Sequence, residues 1–186
     1  MRITVSGLPG SGTTSLSRYL AERHGFSMIS AGEVFRQLAK ELNMELARFG
    51  NLARQDPSYD KMIDARQKEI ARERDNIIVE GRLSGWMVEN ADLRIWLYAP
   101  IGCRIKRIAF RDQVADEETA KSLTLEREQC EADRYRSYYD IDIGDLSIYH
   151  IILNSEHWGV EALGLRIGWL KAKKLGARCS RISSLP

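Results

Sequence analysis

RITVSGLPGSGTT, residues Arg2 to Thr14, is the stretch on which the fold turns. RITVS is a short β-rich run that stops at Gly7, which reads as a buried strand. A helical pattern opens at about Thr14 and runs to His24, with Leu16, Tyr19 and Leu20 on one face. Between them lies GLPGSGTT, in the setting a phosphate-binding loop requires. Gly7, Gly10 and Gly12 let backbone N–H groups turn inward around phosphate oxygens, with Leu8, Pro9 and Ser11 completing the loop. The N-terminus of the following helix adds the positive end of its dipole. Thr14 stands where a hydroxyl would ligand Mg²⁺. The pattern G-x-x-x-x-G-K-S/T is met except at the lysine, where Thr13 can hydrogen-bond but supplies no charge. A glycine turn without a ligand, or a nucleotide site without chemistry, would also fit this segment alone.

Working outward, Phe26–Ser30, Asn76–Val79, Leu93–Ala99 and His150–Leu153 read as four further strands. Ser30 caps a helix whose apolar positions are Leu38, Leu42 and Leu46. Asp56-Pro57 breaks that pattern, and charged helices follow over Ser58–Asp75, Ile101–Arg111 and Glu117–Tyr139. A last helix is expected over Val160–Lys174. Strands alternating with helices imply a five-stranded parallel sheet sandwiched by helices, an α/β fold. Ligands in such sheets sit beyond the carboxyl ends of the strands. The places to look are therefore Gly7–Thr14, Ser30–Arg36, Glu80–Arg82 and the region after Ala99.

The 186 residues fit one domain, with a tail over 176–186 expected to be poorly ordered. No apolar run approaches the roughly 20 residues of a membrane span. MRITVSG does not read as a secretory leader, so a cytoplasmic protein is expected. A net charge of +2 does not suggest a nucleic-acid binder. Arginines nevertheless crowd Arg104–Arg136, and arginine is the residue for forked recognition of phosphate. A solvated helical face is the plainer reading of that crowding. Cys103, Cys130 and Cys179 are widely spaced and suggest neither a zinc site nor a disulfide framework. His24, His150 and His157 lack ligand partners in sequence, and Trp96 and Trp169 read as core. Trp86 reads as core or as a wall of a base pocket.

Several ordered motifs extend the pattern: SAGEVFR (Ser30–Arg36), IDARQKEI (Ile63–Ile70), IIVEGRLSGWM (Ile77–Met87), IWLYAP (Ile95–Pro100), RIKRIAFRD (Arg104–Asp112) and DRYRSYYDIDIGDLSIYHIILNS (Asp133–Ser155). Together with GLPGSGTT they make the chain, from residue 1 to about Leu170, resemble the nucleoside monophosphate kinases, most closely the archaeal type of cytidylate kinase. That group resembles this sequence even at the absent lysine, since its loop typically ends G-T-T. The resemblance implies a P-loop kinase domain over residues 1–175. Within it, an acceptor-binding flap would span about 31–75 and an arginine-bearing lid about 112–140.

By similarity, Ser30, Arg36, Arg66 and Arg82 face the monophosphate acceptor. Bacterial relatives carry an Asp after the arginine at the last of these, where Leu83 stands here, so Asp64 is the substitute candidate for the base. Glu80 resembles the acid that holds Mg²⁺-bound water, or it is a capping or surface carboxylate. Arg107 resembles the hinge arginine that stacks on adenine, with Arg111 one turn on toward the phosphates. Arg134 and Arg136 resemble lid arginines, although residues i and i+2 do not share a helix face. Arg127 reads as solvated.

The expected activity is ATP-dependent phosphorylation of CMP, and of dCMP, with Mg²⁺, by a cytoplasmic monomer that binds neither nucleic acid nor membrane. The alternatives are a kinase for another small acceptor such as AMP or a metabolite alcohol, and a nucleotide-binding switch without catalysis.

Overall fold

The structure, a computed structural model, describes residues 1–45, 48–49, 52–53, 56–114 and 116–167. Leu46, Trp169, Cys179, the far end of the expected last helix and the tail over 176–186 lie outside the described residues.

Five strands form one parallel sheet in the order β2-β3-β1-β4-β5: β1 (Arg2–Ser6), β2 (Ser27–Ser30), β3 (Ile77–Glu80), β4 (Leu93–Tyr98) and β5 (Ile151–Asn154). The central strands β1 and β3 are buried on both faces, as expected of a parallel sheet whose crossovers are helices. Ile3, Val5, Ile78, Ile95 and Leu97 pack on one face against Leu16 and Leu20 of α1 (Thr13–His24), with Leu163 and Ile167 from a helical stretch over 160–167. Ile77 and Val79 point to the other face. They meet Val34 and Leu38 of α2 (Ala31–Glu41), and Ile63 and Ala71 of α3 (Pro57–Glu73). The period-two alternation along β3 thus divides its residues between two cores.

Local chemistry sets the helix ends. Ser30 and Glu33 form a reciprocal capping box: the Ser30 hydroxyl accepts from the Glu33 N–H at 3.1 Å, and the Glu33 carboxylate accepts from the Ser30 N–H at 2.9 Å. Asp56 caps α3 and Pro57 occupies its first position, so the break expected there is a helix start. Leu42, expected on the apolar face, is instead the C-cap of α2 and 40 % exposed. The Trp86 ring lies edge-on to Tyr149, which also meets Trp96, so the plainer of the two Trp86 readings is what the packing favours. The His150 Nδ1 accepts from the Arg94 N–H at 3.0 Å, a structural use.

Beyond β4, α5 (Ile101–Asp112) and α6 (Glu117–Tyr139) pack on each other through a small cluster of Ile105, Ala109 and Ala120. α4 (Ser84–Met87) is a single turn after β3. The parallel register sets Ser30 beside Glu80, and Glu80 beside Val5. The carboxyl ends of β2, β3 and β1 therefore converge where the glycine loop begins.

Candidate active site

The loop between β1 and α1 turns through left-handed backbone at Gly10 (φ 81°) and Gly12 (φ 94°), conformations a side chain would strain. A Cβ on Gly7 would lie 2.4 Å from the Leu97 carbonyl oxygen, so the chain can leave β1 at this point only as glycine. Every carbonyl oxygen from Gly7 to Gly12 has a donor. The Arg82 Nη1 donates to Gly7 O at 2.8 Å, the Ser11 N–H to Leu8 O at 3.1 Å, and the Arg104 Nη1 to Pro9 O at 3.2 Å. The Arg107 Nη1 donates to Gly10 O and Ser11 O at 3.3 and 3.4 Å. The Ser155 hydroxyl also donates to Ser11 O, at 2.7 Å, and the Leu16 N–H to Gly12 O at 3.0 Å. Among the described residues, the N–H groups of Gly10, Gly12 and Thr13 donate to no acceptor, which is the complement a bound anion needs.

Thr13, at the lysine position, is buried and aims its hydroxyl at the strand ends, donating to Glu80 Oε1 at 2.6 Å. Burial raises the Glu80 carboxyl above its usual range, against the opposing hydrogen bond from Thr13 and the nearby Arg82 charge. Gln67, fully buried on α3, donates to the Glu80 carbonyl oxygen at 3.1 Å and fixes the strand end from below. Glu80 is therefore neither a helix cap nor a surface carboxylate. It is a buried acid at the mouth of the loop, with the exposed Thr14 beside Thr13.

A profile of the cytidylate kinase-like family matches residues 2–157. The chain belongs to that family. It is 79 % identical over 164 residues to a cytidylate kinase of Methanoregula boonei, covering 88 % of this chain and 90 % of that one. It is 68 % identical over 165 residues to a cytidylate kinase of Methanosphaerula palustris, covering 89 % and 94 %. Among solved structures, a shikimate kinase from Bacteroides thetaiotaomicron superposes with a TM-score of 0.63 at 14 % identity, covering 92 % of this chain and 98 % of that one. An uncharacterized protein from Eubacterium ventriosum gives 0.70 at 18 %, covering 92 % and 99 %. At such identities the likeness is one of fold: a parallel sheet flanked by helices, as P-loop kinases have. Membership of a kinase family implies use of ATP.

The remaining residues that the family resemblance singled out fall into two groups. Arg82 and Arg107 come to the loop itself. Arg82 also pairs with Glu131 of α6 at 2.9 Å, and Arg107 donates to Ser155 O at 2.7 Å. The donors of Arg82 thus reach both the loop and α6. The others stand around it. Arg111 is exposed and spends its fork on Asp112, at 2.6 and 2.7 Å. Arg134 pairs with Asp60 of α3 at 3.0 Å and Arg136 with Asp142 at 3.3 Å, so the two diverge as their spacing requires. Arg66 pairs with Glu69 and Glu41, and Arg36 is exposed on α2. Asp64 accepts from the Tyr139 hydroxyl of α6 at 2.6 Å, and burial pushes its carboxyl up to about 6.

Arg104, Glu128 and Glu131 were not legible as site residues. Arg104 is buried, donates to Ala99 O at 3.1 Å as well as to Pro9 O, and pairs with Glu128 of α6. Burial works to raise the Glu131 carboxyl, but Arg82 and Arg127 together hold it below the usual range. Arg127 thus pairs with Glu131, at 2.8 Å, through a side chain still 59 % exposed. The one available signal was the spacing of Glu128 and Glu131, which places both on one face of α6.

Proposed function

We propose that the chain transfers the γ-phosphoryl group of ATP to CMP, and to dCMP. The observation that carries this reading is the loop, with its inward N–H groups, opening beside Glu80 and Ser30 in a member of the cytidylate kinase-like family. The loop would hold the ATP phosphates. The edges of the Arg107 guanidinium are taken by the loop and Ser155, which leaves its planar face for the adenine. Thr14 and Glu80 offer hard oxygen ligands that suit Mg²⁺, and no group of three metal-ligating side chains occurs among the described residues. That is the donor set of an ion bound largely by phosphate and water. Bound there, Mg²⁺ would neutralise charge on the phosphate oxygens.

The residues of α2 and α3, with Ser30, Arg36, Asp64 and Arg66, would form the acceptor flap, and Arg82 would bridge acceptor and loop. α6 would be the lid. Arg111, Arg134 and Arg136 each rest on a carboxylate, which phosphate oxygens would replace as the groups close on the transferring phosphoryl. The acceptor phosphate is already anionic, so no general base is required. Closing the lid over the site would exclude water and suppress idle ATP hydrolysis. A monomer in the cytoplasm suffices for this chemistry.

The test is ADP formation from Mg·ATP with CMP, dCMP, UMP, AMP or GMP, against a control without acceptor. Turnover led by CMP or dCMP is expected. Turnover led by AMP would move the acceptor assignment. ATP binding without any diphosphate product would overturn the kinase reading. Arg36→Ala is expected to raise the KM for CMP far more than that for ATP.

A further inference from the structure

Thr13 leaves the loop without the cation that a phosphate-binding loop usually carries on its helix, yet the loop is ringed by cations on its other side. Arg82 comes from the turn after β3, and Arg104 and Arg107 from α5. Between them they donate to the carbonyl oxygens of Gly7, Pro9, Gly10 and Ser11. We propose that Arg82, Arg104 and Arg107 form a guanidinium collar that replaces the absent lysine. The collar pins the carbonyl groups outward, so that the N–H groups face the phosphates. Arg104 is its new member, a positioning residue that touches no phosphate itself. The inference rests on the reading of the loop as the ATP phosphate site.

Two features make Arg104 more than a packing residue. Its own backbone closes on the loop, since a Cβ at Gly10 would lie 2.7 Å from the Arg104 carbonyl oxygen. Its guanidinium is deeply buried and spans Ala99 O, Pro9 O and the Glu128 carboxylate, so its position depends on no solvent-exposed partner. An arginine presents five donors spread over a rigid plane and so spans acceptors farther apart than the single nitrogen of an ammonium can. Peptide groups whose carbonyl oxygens accept from a cation are polarised toward a more positive N–H, and they need no reorganisation when an anion arrives.

The experiment measures Kd for Mg·ATP and for CMP by calorimetry on wild type, Arg104→Gln, Arg104→Lys and Glu128→Gln, with melting temperatures beside them. Arg104→Gln should weaken Mg·ATP by about tenfold or more and leave CMP within about twofold. Arg104→Lys keeps charge but not the fork, and should fall between. Glu128→Gln strips the counter-charge from Arg104 but leaves its bonds to the loop. It should therefore lower the melting temperature without weakening Mg·ATP. If Arg104→Gln does not fold, Arg104→Lys and Glu128→Gln carry the test. The collar is overturned if Mg·ATP affinity survives Arg104→Gln or, should that variant not fold, Arg104→Lys, or if Glu128→Gln weakens Mg·ATP as much as the Arg104 changes do. A wild-type chain that binds no Mg·ATP would instead overturn the phosphate-site reading beneath it.

Discussion

The unit formed by β1, its loop and α1 and the long helix α6 are held in place by opposite means. Val5, Leu16 and Leu20 are excluded from water, and the unit is anchored by apolar burial on one face of the sheet. α6 is polar around most of its circumference and buries only Ala120, Thr124 and Glu131. A helix of that kind must be fastened by specific pairs rather than by a stripe. Those pairs are Glu128 with Arg104, Glu131 with Arg82 and Arg127, Arg134 with Asp60, and the Tyr139 hydroxyl with Asp64. Apolar burial is non-directional and does not release piecemeal. Ion pairs and hydrogen bonds can be exchanged one at a time, for instance for phosphate oxygens. The difference teaches that one half of the site is held by hydrocarbon and the other by charge.

The largest expected effect would break the first side of that comparison. Leu20→Ala, at a fully buried site, should cost about 2–5 kcal/mol of global stability in denaturant unfolding. A loss under 1 kcal/mol would mean that α1 is not held by its apolar face. Next comes Glu131→Gln, which leaves Arg82 and Arg127 without their shared acid and should cost about 1–3 kcal/mol. Hydrogen exchange should then quicken in α6 while β1 and β3 stay protected. Equal loss of protection in the sheet would erase the distinction.

A pH profile sharpens the contact between α3 and α6. With its carboxyl raised from 3.8 to about 6, Asp64 keeps its proton in the fold where the unfolded chain has released it. The native state binds more protons across that window, so stability falls as pH rises through it. The groups facing Asp64 are the Tyr139 hydroxyl and, one turn back on α3, the Asp60 carboxylate, itself raised by burial. Asp64→Asn should abolish this slope, worth on the order of 3 kcal/mol, and the same slope in both proteins would exclude Asp64 as its source. The smallest effect is expected at Asp142→Asn. Its pair with Arg136 is open to solvent on both sides, and unfolding should change by no more than about 0.5 kcal/mol.

These two regions also differ in how much of them could be read from residue order. β1 was placed residue for residue, and α1 to within one residue, because the short β-rich run, the glycine positions and the following helical pattern all pointed to one answer. Glu80 was recognised, but its hydrogen bond from Thr13 required the register of β1 against β3. The arginines of 104–136 were visible as a crowd, and which ones serve the loop was not. Arg82 looked like an acceptor residue by analogy, and its contacts with Gly7 and Glu131 could not be read from residue order. Arg104 and Glu128 stand 24 residues apart and meet only because α5 and α6 fold back on each other.

Sequence alone determined the five strands, the glycine loop with threonine in place of lysine, and the family, since each is written in local pattern or contiguous motif. Tertiary structure alone decided what the charged residues do. A guanidinium has no periodicity that announces its partner, and its reach of several ångströms allows many. Only the packing of the turn after β3 and of α5 against the loop selects among them, and it gives three arginines to the carbonyl side of a loop that lacks a lysine.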